Sequence, residues 1–196
     1  MPYRSCNPAF LVEGHLEQAF VQNVCPGTPV RRIGCNGDDV SVIAIAKRVA
    51  THGRLLQRRY DPLVVIFDRE RREETAEELE LALRQALRDE GICATTLIGI
   101  PDRDIEVWLL ADPEVFRQCA RVSNEVECKP CEGYKGKAAI KHLLGVGRTY
   151  VESVDGPQWL KKARASEIRK NSPSFARLFD ALERLDCWWL KETSLI

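Results

Sequence analysis

The sequence predicts an α/β fold, in which a Rossmann-like parallel sheet is flanked by helices and followed by a helical C-terminal extension. Residues 63–67 (Leu-Val-Val-Ile-Phe) form a continuous apolar, largely β-branched run, which is typical of a central strand buried on both faces. Strand-like and helix-like segments alternate up to residue 112, and only helix-like segments follow. This alternation indicates a parallel sheet with helices packed on its faces.

The elements before the central strand follow from apolar runs and turn residues. A short apolar run at 9–12 predicts the first strand, and 16–24 predicts a helix. Residues 29–33 are a weaker strand candidate. The sequence Asn-Gly-Asp-Asp at 36–39 then predicts a turn and an N-cap for a helix over 40–51.

The elements after the central strand follow from capping signals and apolar spacing. Thr75 and Glu78 predict a capping box, and the helix that they begin should end near Gly91. Residues 93–100 predict another strand, and 105–110 either a helix or a short strand.

The second half of the chain is predicted to be helical. Helices are expected at 114–121, 137–144, 158–170 and 174–185. Since about 80 mostly helical residues form a marginal core alone, we expect two regions that share one core. These are an α/β domain at 1–112 and a helical extension at 113–196.

Composition and charge indicate where the protein is found and which part of it could bind phosphate groups. The 196 residues include 29 basic and 29 acidic side chains, so the net charge is zero. No apolar run approaches the roughly 20 residues that span a membrane, and no secretory signal is recognisable, so we expect a cytoplasmic protein without membrane contact. Residues 128–177 contain eleven Lys or Arg and four Asp or Glu, a local net charge of +7. This segment is either a solvated helical surface or a surface facing phosphate groups.

Acidic residues follow the two most clearly predicted strands. Glu13 comes directly after the strand at 9–12, and Asp68 and Glu70 come after the central strand. In an open parallel sheet, ligands bind at the carboxyl ends of the strands, where these carboxylates should meet. Hard cations such as Mg²⁺ or Mn²⁺ prefer such oxygen ligands. Any one of these residues alone would be read as a helix cap or a surface charge.

Further candidates lie near these positions or within the basic segment. Glu17 is one helical turn beyond Glu13, and either faces the same site or solvent. Glu106 is a single carboxylate inside an apolar segment, which is unusual unless it is paired or bound to metal. Lys135 and Lys137 flank a glycine at a predicted helix start, where phosphate would meet both amines and free backbone N–H groups.

Two sequence motifs resemble the Toprim domain of primases, topoisomerases and overcoming-lysogenization-defect nucleases. They are Val-Glu-Gly-x-x-Glu at 12–17 and Val-Ile-Phe-Asp-x-Glu at 65–70. The stretches at 104–112 and 172–178 are similar to those of a small stand-alone Toprim-related family of bacterial proteins, which often accompany ATPases in phage-defence gene clusters. The resemblance implies Mg²⁺ binding by the glutamate after the first strand and by a D-x-D motif, whose second acid is Glu70 in this chain.

These observations predict a Mg²⁺-dependent nuclease, with nucleic acid and an ATPase as partners. The expected catalytic residues are Glu13, Asp68, Glu70 and Lys137. The expected metal ligands are Glu13, Glu17, Asp68, Glu70 and Glu106, and the expected nucleic-acid contacts are Lys135, Lys137, Lys161 and Lys162. The alternative is a non-catalytic Toprim-like subunit that binds and regulates a partner ATPase. A phosphorylatable receiver ranks last, because the adjacent acidic pair expected after the first strand is missing. DNA or RNA as substrate, one or two cations, and the oligomeric state stay open.

Overall fold

A computed structural model of the protein describes residues 6–35, 40–123 and 132–184. Four strands form one parallel sheet. They are β1 (Ala9–Val12), β2 (Val30–Arg32), β3 (Leu63–Ile66) and β4 (Thr96–Gly99). The order across the sheet is β2-β1-β3-β4. The predicted α/β fold with a parallel sheet, flanking helices and a helical C-terminal region is confirmed.

The sheet is covered by helices on both faces. The helices are α1 (His15–Val24), α2 (Val42–Leu56), α3 (Ala76–Asp89), α4 (Glu106–Leu110), α5 (Pro113–Ala120), α6 (Gly136–Leu144), α7 (Asp155–Leu160), α8 (Ala165–Asn171) and α9 (Pro173–Arg184). α2 and α3 pack against one face, whereas α1 and the helices after residue 105 pack against the other. None of the described helices is long and apolar enough to cross a membrane.

The central position of β3 explains why its sequence is apolar throughout. Leu63 and Val65 contribute to the core under α2 and α3, whereas Val64 and Ile66 contribute to the core on the opposite face. Because side chains alternate between the two faces of a strand, a strand covered on both faces needs apolar residues at every position. All side chains from 63 to 67 are buried, as predicted.

Local capping determines where the helices begin and end. The predicted capping box of α3 is confirmed, because the Glu78 amide donates to Thr75 Oγ1 and the Thr75 amide donates to Glu78 Oε2. For α2 the predicted start at residue 40 was wrong. Its N-cap is Ser41, whose Oγ accepts a hydrogen bond from the Ala44 amide. The predicted turn at 36–39 lies outside the described residues. The segment at 105–110 is helical, as α4.

The predicted helix at 158–170 is interrupted. α7 ends at Leu160 and α8 begins at Ala165, with Arg164 in an extended conformation between them. The Arg164 amide and its Nε each donate to Asp112 Oδ2 at 2.9 Å. This tertiary contact fixes the backbone of Arg164 outside the helical region, and the sequence around residue 164 carries no sign of it.

Asp112 links the α/β region to the helical extension. Its side chain is 0% exposed, caps α5 through the Val115 amide, and forms an ion pair with Arg164 at 2.7 Å. Burial by itself would raise the pKa of Asp112, but the hydrogen bonds from Arg164 and Val115 hold it below its usual value. In addition, α9 packs on β4, with the Leu178 side chain against Gly99, so both regions share one core.

We predict that Asp112→Ala lowers the free energy of unfolding by about 2 to 4 kcal/mol, because it removes a helix cap and leaves buried amides without an acceptor. Urea denaturation followed by tryptophan fluorescence measures this change. Glu114→Ala is the matched control, since Glu114 also pairs with Arg164, at 2.8 Å, but is exposed. It should change stability by less than about 0.5 kcal/mol. Equal effects of the two substitutions would contradict the anchoring role of Asp112.

Candidate functional site

A polar pocket of about 750 Å³ opens at the carboxyl ends of β1 and β3. Six acidic side chains line it: Glu13, Glu17, Asp68, Glu70, Glu106 and Glu152. Among the described lining residues, the positive charges are Arg32 and Lys137, and His15 is a further titratable group. The pocket therefore has more acidic than basic side chains, and it lies at the edge of the sheet where a ligand site was predicted.

Parallel pairing of β1 with β3 brings Glu13 and Asp68 together. The Glu13 amide donates to Ile66 O at 3.0 Å, which extends the pairing one residue beyond β1. Glu13 Oε2 then accepts a hydrogen bond from the Asp68 amide at 2.8 Å. Both side chains are less than a tenth exposed, Glu13 at 7% and Asp68 at 6%. Two carboxyl groups are thus buried beside each other.

Glu17 and Glu70 enter the pocket from the loops and helix that follow these strands. Glu17 is buried, and its Oε2 accepts a hydrogen bond from the Gly14 amide at 2.8 Å, so it caps α1 and lines the pocket at once. Glu70 has a left-handed φ of 54°, which is unfavourable for a residue with a side chain. Two hydrogen bonds with Arg103 hold this conformation, one from the Glu70 amide and one to the Glu70 carbonyl.

Glu106 is fully buried at the start of α4. Its Oε1 accepts a hydrogen bond from the Tyr150 hydroxyl at 3.3 Å. Its Oε2 and the Oδ1 atom of Asp68 are buried and have no hydrogen-bond partner among the described residues. Buried carboxylate oxygens without partners are costly, so these two atoms require an explanation.

Lys137 reaches the pocket because α6 begins in close contact with α4. A Cβ atom at Gly136 would lie 2.5 Å from Asp104 Oδ1 and 2.7 Å from the Val107 amide nitrogen, so only glycine allows this approach. The Lys137 amine lies 3.1 Å from Glu152 Oε2. Partial burial by itself lowers the pKa of Lys137, but the nearby carboxylates of Glu106 and Glu152 raise it above its usual value.

The backbone at the start of α6 does not provide the free phosphate site that we expected from the sequence. Asp104 Oδ1 accepts from the Gly136 amide at 2.9 Å, and Asp104 Oδ2 accepts from the Lys137 amide at 3.4 Å. An internal carboxylate therefore takes the place at the helix N-terminus that a phosphate would take.

Burial raises the pKa of every acidic side chain deep in the pocket. It raises the pKa of Glu13 to about 7 and that of Glu106 to about 8, and the pKa of Asp104 to about 6. Burial also raises the pKa values of Asp68 and Glu17, and for Asp68 the neighbouring carboxylates add to this effect. Full ionisation of the carboxyl groups in the pocket is therefore unfavourable.

The donor chemistry fits a hard divalent cation, although the side chains are not arranged as a complete ligand set. Carboxylate oxygens are the ligands that Mg²⁺ and Mn²⁺ prefer, and Asp68 Oδ1 and Glu106 Oε2 have no hydrogen-bond partner among the described residues. Within 6–35, 40–123 and 132–184, however, no three His, Cys, Asp or Glu side chains are grouped closely enough to hold a metal ion. Binding would require side-chain rotation within the pocket.

The remaining predicted residues lie elsewhere. Lys135 precedes α6, and Lys161 and Lys162 follow α7; all three are exposed, and none lines the pocket. Sequence analysis missed several residues that contribute to the site: Arg32, Asp104, Tyr150 and Glu152. Of these, only Asp104 had a detectable signal, because Asp-x-Glu at 104–106 repeats the spacing at 68–70.

Comparison with known proteins identifies a family without a stated activity. Residues 12–183 match the family model described as "Domain of unknown function (DUF4276)". No curated protein and no solved structure matches the chain.

We predict that the stability of the metal-free protein falls as pH rises from about 4.5 to about 8. A carboxyl group whose pKa is raised in the folded state binds more protons when folded than when unfolded, so its contribution is lost as it ionises. Glu106→Gln keeps the shape and the acceptor for Tyr150 but cannot ionise. It should be more stable than the wild type at pH 8, by about 2 to 4 kcal/mol, and similar at pH 4.

Urea denaturation in EDTA across this pH range measures the effect. Glu73→Gln is the control, because Glu73 is exposed and does not line the pocket. A wild-type stability that rises between pH 5 and 8, or parallel pH profiles for the wild type and Glu106→Gln, would show that burial of Glu106 is not unfavourable.

Proposed function

Because the chain belongs to the DUF4276 family, whose description states no activity, we propose a function from the chemistry of the pocket: Mg²⁺- or Mn²⁺-dependent cleavage of phosphodiester bonds in nucleic acid. One observation carries the proposal. Two buried carboxylate oxygens, Asp68 Oδ1 and Glu106 Oε2, have no hydrogen-bond partner among the described residues. They belong to a pocket that is lined by more acidic than basic side chains.

Buried carboxylates are retained in a protein when something compensates for their cost. Protonation compensates when the pocket is empty, as the raised pKa values indicate. Near neutral pH a divalent cation would compensate more fully, because it adds positive charge and oxygen coordination where the carboxyl groups repel one another. Cation binding would therefore explain why acidic side chains are kept in a pocket at the edge of the parallel sheet.

The residues best placed to hold the cation are Glu13 and Asp68, which are fixed by the pairing of β1 and β3. Glu70, Glu17 and Glu106 would complete the coordination by rotation, with water in the remaining positions. The chemistry that such a cation would supply is polarisation of the phosphate and activation of water for attack. The resemblance of residues 12–17 and 65–70 to the Toprim domain supports the same assignment.

Lys137 is proposed to bind the substrate phosphate. Its amine already lies among the Glu106, Glu152 and Asp68 charges, and it stays protonated because those charges raise its pKa. A phosphate group entering the pocket would take the place of Glu152, which is exposed and therefore held weakly. Lys137 would then stabilise the negative charge that develops on the phosphate oxygens.

The biological setting rests on the resemblance alone. We propose a cytoplasmic protein that acts in phage defence with an ATPase partner, since the similar stand-alone Toprim-related proteins often accompany such ATPases. The second candidate function is a non-catalytic subunit that binds and regulates that ATPase. It is favoured by one observation, namely that no three metal-binding side chains in the described part of the chain are grouped at coordinating distance.

We predict that Asp68→Asn abolishes binding of Mn²⁺, measured by isothermal titration calorimetry. It should also reduce Mg²⁺-dependent cleavage of a labelled oligonucleotide by more than about 100-fold, because the substitution removes a charged ligand. In the wild type, Mn²⁺ at 100 times its Kd should stabilise the fold by about 2.7 kcal/mol.

Asp102→Asn is the matched control. Asp102 lies at the same edge of the sheet, paired with Arg69 at 2.6 Å, but does not line the pocket. Full cleavage activity in Asp68→Asn would rule out this pocket as the site of cleavage. A wild type that neither binds Mn²⁺ nor cleaves nucleic acid would favour the regulatory subunit.

We predict that Lys137→Gln lowers kcat by about 10² to 10³ and leaves Mn²⁺ affinity within a few-fold, because the amine stabilises charge on the substrate and does not ligate the cation. Steady-state kinetics and calorimetry separate the two effects. Lys135→Gln, two residues away and outside the pocket, should change kcat little. Equal losses in both variants would indicate a general charge effect of the basic segment.

A further inference from the structure

Arg32 is a positive side chain at the rim of the pocket for which the site described above gives no role. It is the last residue of β2, is exposed, and lines the pocket together with Glu13 and Gly34. No ion pair joins Arg32 to another described residue, whereas the amine of Lys137 pairs with Glu152. A ligand can therefore bind Arg32 without displacing another described side chain, whereas a ligand of Lys137 would displace Glu152.

The sheet register fixes where Arg32 stands relative to the carboxylates. Arg32 pairs with Val12 of β1, and Val12 pairs with Ile66 of β3. Since neighbouring strands are about 4.8 Å apart, the backbone of Arg32 lies roughly 10 Å from β3, which leads into Asp68. Arg32 belongs to the edge strand β2, whereas Lys137 enters the pocket from α6, next to α4. The two basic side chains thus reach the pocket from different elements of the fold.

A ligand that satisfies all of these groups needs more than one anionic centre. One phosphate would bind in the acidic part of the pocket, where it would contact Lys137 and the divalent cation that Asp68 and the other carboxylates would hold. A second negative group is needed at Arg32, whose backbone lies roughly 10 Å from β3 and whose long side chain can shorten that distance. Arginine suits this task, because its planar guanidinium binds two phosphate oxygens at once.

We propose that Arg32 binds a second phosphate of the substrate, adjacent to the one that is cleaved, so that the pocket binds a polynucleotide strand more tightly than an isolated phosphate ester. This inference rests on the proposed nuclease function. It assigns to Arg32 a positioning role that fixes which linkage of the strand reaches the carboxylates. Binding at Arg32 is electrostatic and independent of base sequence.

The neighbouring residue provides a matched control. Arg31 is also exposed and carries the same charge, but it does not line the pocket. Because successive side chains of a strand point to opposite faces, Arg31 lies on the side of the sheet covered by α2, and Arg32 lies on the side of Val12 and α1. The two positions therefore separate a local contact from a general loss of positive charge.

The first measurement is fluorescence anisotropy of a labelled single-stranded oligonucleotide, with Ca²⁺ in place of Mg²⁺, for the wild type, Arg32→Gln and Arg31→Gln. We expect Arg32→Gln to weaken binding several-fold and to reduce the slope of log K against log salt concentration by about 0.7, the value for one lost phosphate contact to a single strand. Arg31→Gln should bind as the wild type does, and Mn²⁺ affinity should be unchanged in both variants.

The second measurement compares two substrates in Mg²⁺. Arg32→Gln should raise the KM for the oligonucleotide but leave hydrolysis of bis(p-nitrophenyl) phosphate unchanged, since that diester has no second phosphate. Equal behaviour of the two arginine variants, equal effects on both substrates, or absence of oligonucleotide binding by the wild type would overturn the role of Arg32. If the wild type binds the oligonucleotide through Arg32 but shows no cleavage in Mg²⁺ or Mn²⁺, the nuclease proposal fails and the phosphate contact stands.

Discussion

The constraint on which the site depends is the burial of carboxyl groups at the end of a parallel sheet. Pairing of β1 with β3 places Glu13 directly against the backbone of Asp68, and both side chains are largely buried. Burial raises the pKa of both groups, and the nearby carboxylates of Glu17 and Glu13 raise the pKa of Asp68 further. Full ionisation of this pocket is therefore unfavourable, and we propose that a divalent cation compensates for that cost.

The helical extension completes this pocket and is not an independent unit. Gly136 allows α6 to pack against the start of α4, and this contact brings Lys137 to the carboxylates. Tyr150, from the segment between α6 and α7, orients one oxygen of Glu106. The ion pair between buried Asp112 and Arg164, together with the packing of α9 on β4, holds the extension in place. The stability of the extension and the geometry of the site are consequently linked.

Much of this arrangement could be predicted from local sequence, and the parts that could not depend on contacts distant in sequence. The strand at 63–67 and the Thr75–Glu78 capping box follow from burial on both faces and from side-chain hydrogen bonds a few residues apart. The break before Ala165 depends on Asp112, 52 residues away from Arg164. Glu13 and Asp68 were predictable because strand ends converge in any parallel sheet, whereas Arg32 required knowledge that β2 lies next to β1.

An anomalous-scattering map from crystals grown with Mn²⁺ tests most directly whether the pocket binds a metal ion. We expect a peak within about 2.0 to 2.6 Å of carboxylate oxygens of Glu13 and Asp68, with Glu106 or Glu70 rotated towards it. Such a peak would show that the acidic pocket is a metal centre. Mn²⁺ bound at full occupancy elsewhere on the protein, with no peak in the pocket, would contradict the assignment of the pocket as a metal centre.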